Sequence, residues 1–115
     1  MIEQTNLNSQ PSQLQFLYLS SLGWRTGKQH QIEIWFVEYD KRFYIFSGRH
    51  KHAHWVQNIM HNSKVSFSVG EKTFNGSARI IDKGNEPKLA AEVSKSMAEK
   101  YKWSEGLIIE LTAIS

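Results

Sequence analysis

Between residues 23 and 28 the chain reads Gly-Trp-Arg-Thr-Gly-Lys, two glycines bracketing a short connection that carries a guanidinium, an ammonium and a hydroxyl. Backbone N–H groups exposed in such a turn, with Arg25, Lys28 and the Thr26 hydroxyl, are the donors a phosphate needs. His30 and Gln31 follow directly and could reach the same group. The same residues would equally suit a solvated hairpin whose charges keep a sheet edge soluble, and one glycine motif does not separate the two readings.

Other side chains could add to a site. The stretch from Ser47 to His54 holds His50, His52 and His54 at two-residue spacing. On a strand these would share a face and could bind zinc or copper. No carboxylate or cysteine stands nearby, and Arg49 and Lys51 would repel a divalent ion. No metal site is therefore read here, and a second contact to an anionic ligand fits the charges better. Trp55 and Asn58 lie one helical turn apart and address one groove. Of Trp35 and Phe36, one must face the interior. Phe36 reads as core, while Trp35 suits either core packing or an aromatic wall for a ligand ring. Arg79 reads as a surface ion pair and Tyr101 as packing; Trp103 could pack or line a pocket. No Ser–His–Asp set, paired acid or cysteine offers hydrolytic chemistry.

These residues need a frame to hold them. Leu14–Leu22, Gln31–Tyr39, Arg42–Ser47, Lys64–Val69, Thr73–Ile81 and Leu107–Ile114 read as strands, with Asp40-Lys41 making a hairpin turn. Ala53 to His61 reads as a short helix. A second starts at Asn85-Glu86-Pro87, repeats Leu89, Val93, Met97 and Tyr101 at four-residue spacing, and is broken by Gly106. The expected fold is mainly β (α+β), an antiparallel split barrel of about six strands with two peripheral helices. Residues 1–13 form a polar N-terminal segment, and 14–115 the single domain.

Bulk properties narrow the class. The 115 residues are 40% hydrophobic and 12% aromatic, which suits one globular core. With no cysteine there is no disulfide framework and no thiolate metal site. No apolar run nears the roughly 20 residues of a membrane span, and the polar start shows no export signal, so the cytoplasm is expected. A net charge of +3 is compatible with an anionic small ligand or with nucleic acid. The cations concentrate in two loops while the aromatics sit within alternating strands, which argues against a nucleic-acid groove.

The motifs, taken together, resemble a family. Leu19 to His30 with Ile34 to Val37, then Phe43–Ser47, Trp55–Ile59, Asn62–Val65, Phe74–Arg79 and Lys100–Trp103, follow the order of the deazaflavin (F-420)-dependent nitroreductases. That family is similar in fold to the split-barrel flavoproteins related to pyridoxamine phosphate oxidase. Trp24 stands where the family usually has a basic residue. The resemblance implies a deazaflavin F-420 or FMN cofactor and hydride transfer to nitro, quinone or other conjugated small-molecule acceptors. It implies that Gly23, Arg25, Thr26, Gly27, Lys28 and His30 cradle the cofactor phosphate, with Trp35, Ser47, Trp55 and Asn58 around the rest. The proton would come from solvent, His54 or Tyr44. A homodimer with sites at its interface is also implied. A non-catalytic cofactor-binding barrel is the alternative.

Overall fold

The computed structural model describes residues 14–114; the polar segment 1–13 lies outside them. The elements are β1 (Phe16–Leu22), β2 (Gln29–Tyr39), β3 (Arg42–Ser47), a 3-10 turn (His50–His52), α1 (His54–His61), β4 (Lys64–Val69), β5 (Lys72–Ile80), α2 (Pro87–Tyr101) and β6 (Leu107–Ala113). All neighbours are antiparallel, and the strands close into a barrel in the order β1-β2-β3-β6-β5-β4, with β4 returning to β1. The expected six-strand split barrel with two helices is present. Closure leaves no free sheet edge to aggregate.

The barrel splits along β2. Its first part pairs with β1 from Leu22↔Gln29 to Phe16↔Trp35, and its last part pairs with β3 from Phe36↔Ile45 to Tyr39↔Arg42. The peptide groups of Phe36 therefore face a side where β1 has run out. Tyr101 takes over there. Its hydroxyl accepts from the Phe36 N–H at 3.1 Å and can donate to the Phe36 or Gln15 carbonyl, each at 2.7 Å. Lys100 Nζ adds a bond to the Phe36 carbonyl at 3.1 Å. The hairpin between β2 and β3 turns on Asp40 and Lys41, both at positive φ, as the right-handed twist of its strands favours.

Strand alternation produces two apolar clusters. Inward residues Leu17, Leu19, Phe36, Ile45, Phe67, Ile109 and Leu111 fill the barrel, joined by Val56 and Ile59 of α1. On the outer wall Val37, Tyr44, Phe46 and Ile108 pack against Ala90, Val93 and Met97 of α2. Each such buried aliphatic contributes roughly 1.5–3 kcal/mol over an exposed position. Glu110 is buried beneath α2. It accepts from the Tyr44 hydroxyl at 2.8 Å and from Arg79 Nε at 3.2 Å, and Arg79 also pairs with Glu86 at the start of α2. The surface pair expected of Arg79 thus reaches inward to a buried carboxylate as well.

Gly106 does not end α2. The helix stops at Tyr101 because Lys102 adopts a left-handed conformation (φ 62°) and caps it with a bond to the Ala98 carbonyl at 2.8 Å. Gly106 instead takes φ 100° beside the Ser47 carbonyl, where a Cβ would collide.

Candidate functional site

A cleft of about 840 Å³ opens where the β1–β2 turn, the start of β2, the loop after β3 and α1 meet. Its size is typical of sites for cofactor-sized ligands. The turn contributes Gly23, Trp24, Arg25 and Thr26, and β2 contributes His30, Gln31 and Ile32. Arg49, Ala53, His54, Trp55, Gln57 and Asn58 form the other side. Among the described residues no carboxylate lines it, so the charged groups placed there are cationic. Electrostatically it is built for an anion.

The turn is held by its own hydrogen bonds. Gly23 N–H donates to the Lys28 carbonyl and Gly27 N–H to the Gly23 carbonyl, both at 2.7 Å, while the Lys28 N–H donates to Thr26 Oγ1 at 3.1 Å. Gly27 sits at φ 73°, a conformation costly for other residues. Among the described residues, the N–H groups of Arg25 and Thr26 meet no protein acceptor. At Gly23 a Cβ would stand 2.8 Å from both His30 Nε2 and Thr26 Oγ1, so a larger residue would displace those side chains.

Opposite the turn, Asn58 is buried but not idle. Its Oδ1 accepts the Trp24 N–H at 3.2 Å, which orients the amide, and its Nδ2 has no partner among the described residues. Half-buried Trp55 packs against the barrel core while lining the cleft. The Trp24 indole stacks on His61 with centroids 4.0 Å apart, and the Arg25 guanidinium lies 4.7 Å from the centre of the same indole.

Several expected residues lie elsewhere. Gly27 and Lys28 do not line the cleft, and the Gly27 N–H is spent within the turn. Trp35 points away from the barrel interior because Ile34 and Phe36 take the inward positions of β2. It stacks on Tyr101 at 4.6 Å and lines a separate apolar slot of about 430 Å³ with Phe16, Glu33, Ile34, Phe46 and Trp103. Ser47 is buried and its Oγ donates to the His50 carbonyl at 2.9 Å, which shapes the loop. Tyr44 lies under α2, bonded to Glu110. Burial and that carboxylate hold its phenol well above the usual range, so it has neither access nor acidity for the cleft. His50 and His52 belong to the 3-10 turn and His54 opens α1, so the three share no strand face. Trp24 and Gln57 were not expected at the site. A helical period of three to four residues from His54 to Asn58 was the available signal for Gln57, whereas nothing local marks Trp24 as a contact of α1.

The six-strand antiparallel barrel is a split barrel, and among the described residues the cleft beneath its glycine-bounded turn is lined by cations and no carboxylate. A family model for F420H(2)-dependent quinone reductases matches residues 3–107, and the chain belongs to this family; it is an oxidoreductase. No curated protein sequence matches it significantly. Among solved structures, a putative pyridoxamine 5′-phosphate oxidase from Listeria innocua is similar over 100% of this chain and 95% of its own, at 16% identity and a TM-score of 0.72. An F420-H2 dependent reductase (FDR-A) matches over 84% of this chain and 93% of its own, at 22% identity and TM-score 0.61. The heme storage protein HutZ from Vibrio cholerae matches over 99% and 89%, at 16% identity and TM-score 0.70. These likenesses establish the shared fold.

Proposed function

We propose that the cleft binds F-420 and that the enzyme reduces quinones or other conjugated acceptors, nitro-compounds included. The observation that carries this reading is the cleft's pair of arginines, Arg25 and Arg49, at a site with no carboxylate among the described residues. F-420 bears a phosphodiester followed by carboxylates, whereas FMN ends in a single phosphate. Two cationic poles suit the former better. Arg25, the Thr26 hydroxyl and the free N–H groups of the turn take the phosphate; Arg49 takes a carboxylate. Trp55 and the Asn58 amide face the ring system, the first by stacking and the second by donating to a ring acceptor.

When bound, the reduced deazaflavin supplies the hydride. The chain's part is to orient, to exclude water with Ile32, Ala53 and Trp55, and to move a proton. His54 lines the cleft and can deliver that proton from a ring nitrogen, with solvent as the other source. We take the working unit as a homodimer in the cytoplasm. A neighbour described as a domain-swapped dimer (20% identity, TM-score 0.61) and the exposed aromatics of β1 support the first part.

Titration of the protein with F-420 and FMN in parallel tests the assignment. F-420 is expected to bind more tightly and to lose affinity more steeply with added salt. Arg25→Ala should weaken it roughly tenfold or more, and Lys28→Ala, whose residue lies off the cleft, by much less. Tighter binding of FMN would transfer the cofactor assignment; an unchanged affinity in Arg25→Ala would remove the cradle.

A further inference from the structure

Trp24 is 44% exposed and belongs to neither apolar cluster, so core packing does not explain it. Its contacts are nonetheless specific at three points. The backbone N–H is held by the buried Asn58 amide at 3.2 Å. The indole lies nearly parallel to the His61 imidazole, at 4.0 Å and 7°. The Arg25 guanidinium rests 4.7 Å from the ring centre. Asn58 and His61 are three residues apart on α1, so one helix face grips the tryptophan by backbone and ring together. His61 is fixed in turn by Nδ1 against the Gln57 carbonyl at 2.9 Å.

We infer that Trp24 is a positioning residue, clasped to α1, that holds the Arg25 guanidinium ready at the mouth of the cleft for an anionic group. The inference rests on the reading of Arg25 as the cofactor-phosphate contact. A free arginine has several soft torsions, and ordering them on binding costs about one order of magnitude in affinity. Stacking on an indole removes part of that freedom beforehand, because the flat guanidinium and the ring face attract each other. The donors Arg25 needs for the ligand stay available, since the contact with the indole at 4.7 Å is not a hydrogen bond to a conventional acceptor.

The clasp also ties the turn to the helix. Trp24 immediately precedes Arg25 and Thr26, whose N–H groups meet no acceptor among the described residues. Fixing the Trp24 peptide through Asn58 therefore fixes the direction of the donors that follow. One helix thereby sets both the backbone and the side-chain parts of the anion site.

The test uses F-420 as the probe with the full chain and four variants: Trp24→Leu, Trp24→Phe, Arg25→Ala and the Trp24→Leu/Arg25→Ala pair. Trp24→Leu should weaken binding about three- to tenfold, Trp24→Phe by twofold or less, and the double variant no more than Arg25→Ala alone. Equal losses for Trp24→Leu with and without Arg25 would show that Trp24 acts on its own account and overturn the inference. So would a loss from Arg25→Ala unaccompanied by one from Trp24→Leu, with the cradle left standing. An Arg25→Ala variant that binds normally overturns the cradle and the inference with it. Proton NMR of the ligand-free protein supplies an independent readout. The His61 ring protons should be shifted upfield by the indole and return toward ordinary positions in Trp24→Leu. Unshifted protons in the parent protein would also sink the clasp.

Discussion

The ammonium of Lys100 lies over the Phe36 ring at 4.2 Å and donates to the Phe36 carbonyl, with no carboxylate partner among the described residues. Desolvation by burial pushes its pKa down from 10.5 to about 8. The native state thus holds this proton less firmly than the unfolded chain does. Above the unfolded value both states are neutral at this site and the penalty vanishes. As pH falls from 10.5 towards 8, the unfolded state takes up the proton first and stability drops. Lys100 remains partly exposed, so the effect is moderated by solvent. Urea unfolding of the parent and Lys100→Met at pH 7 and pH 10 should show the parent gaining on the variant at the higher pH. A constant difference would mean that Lys100 titrates normally. The sequence put Lys100 on a helix and said nothing of this, because Phe36, its partner, is 64 residues away.

At the scale of elements, the seam where β2 passes from β1 to β3 depends on the end of α2. Tyr101 was legible as a packing residue from its four-residue spacing with Met97, Val93 and Leu89. Its hydroxyl role was not, since the point at which β1 ends relative to β2 is a matter of register. Tyr101→Phe keeps the ring on Trp35 but leaves the Phe36 N–H without its acceptor, while the Phe36 carbonyl keeps Lys100 Nζ. A loss of about 1–3 kcal/mol in unfolding free energy is expected, with faster amide exchange at Phe36. Normal protection at Phe36 in that variant would mean that water replaces the hydroxyl without cost. Glu110 follows the same logic. It is the one charged residue of β6, and the lone carboxylate was a signal that some cation must meet it. That the cation is Arg79 of β5 follows from the pairing Arg79↔Glu110, which alternation alone does not specify.

For the molecule as a whole, one face of the barrel carries no cover from the described residues. Phe16, Tyr18 and Leu22 of β1 and Trp35 of β2 are all between 37% and 44% exposed on the outer wall, and Phe16 pairs directly with Trp35. An aromatic patch of this kind marks an interface more often than bare surface. Light scattering coupled to size exclusion should give about twice the 13.3 kDa chain mass, falling towards one chain in Trp35→Glu. A single-chain mass for the parent at every concentration would refute the dimer. The barrel, its strand order in sequence and both helices were readable from the order of residues, since alternation and helical spacing are local physical constraints imposed by a single buried face. Membership of the family was readable because its motifs are local too. Of the cleft's lining, Gly23, Arg25, Thr26, His30, Trp55 and Asn58 were named from their motifs, and the rest was not. Whether a side chain such as Trp35 or Lys28 reaches a cavity depends on which strand face points inward and on how a turn closes on itself. Whether Trp24 touches α1 depends on two segments more than 30 residues apart meeting in space. Those are long-range packing outcomes, set by the closure of the barrel rather than by any local run of residues.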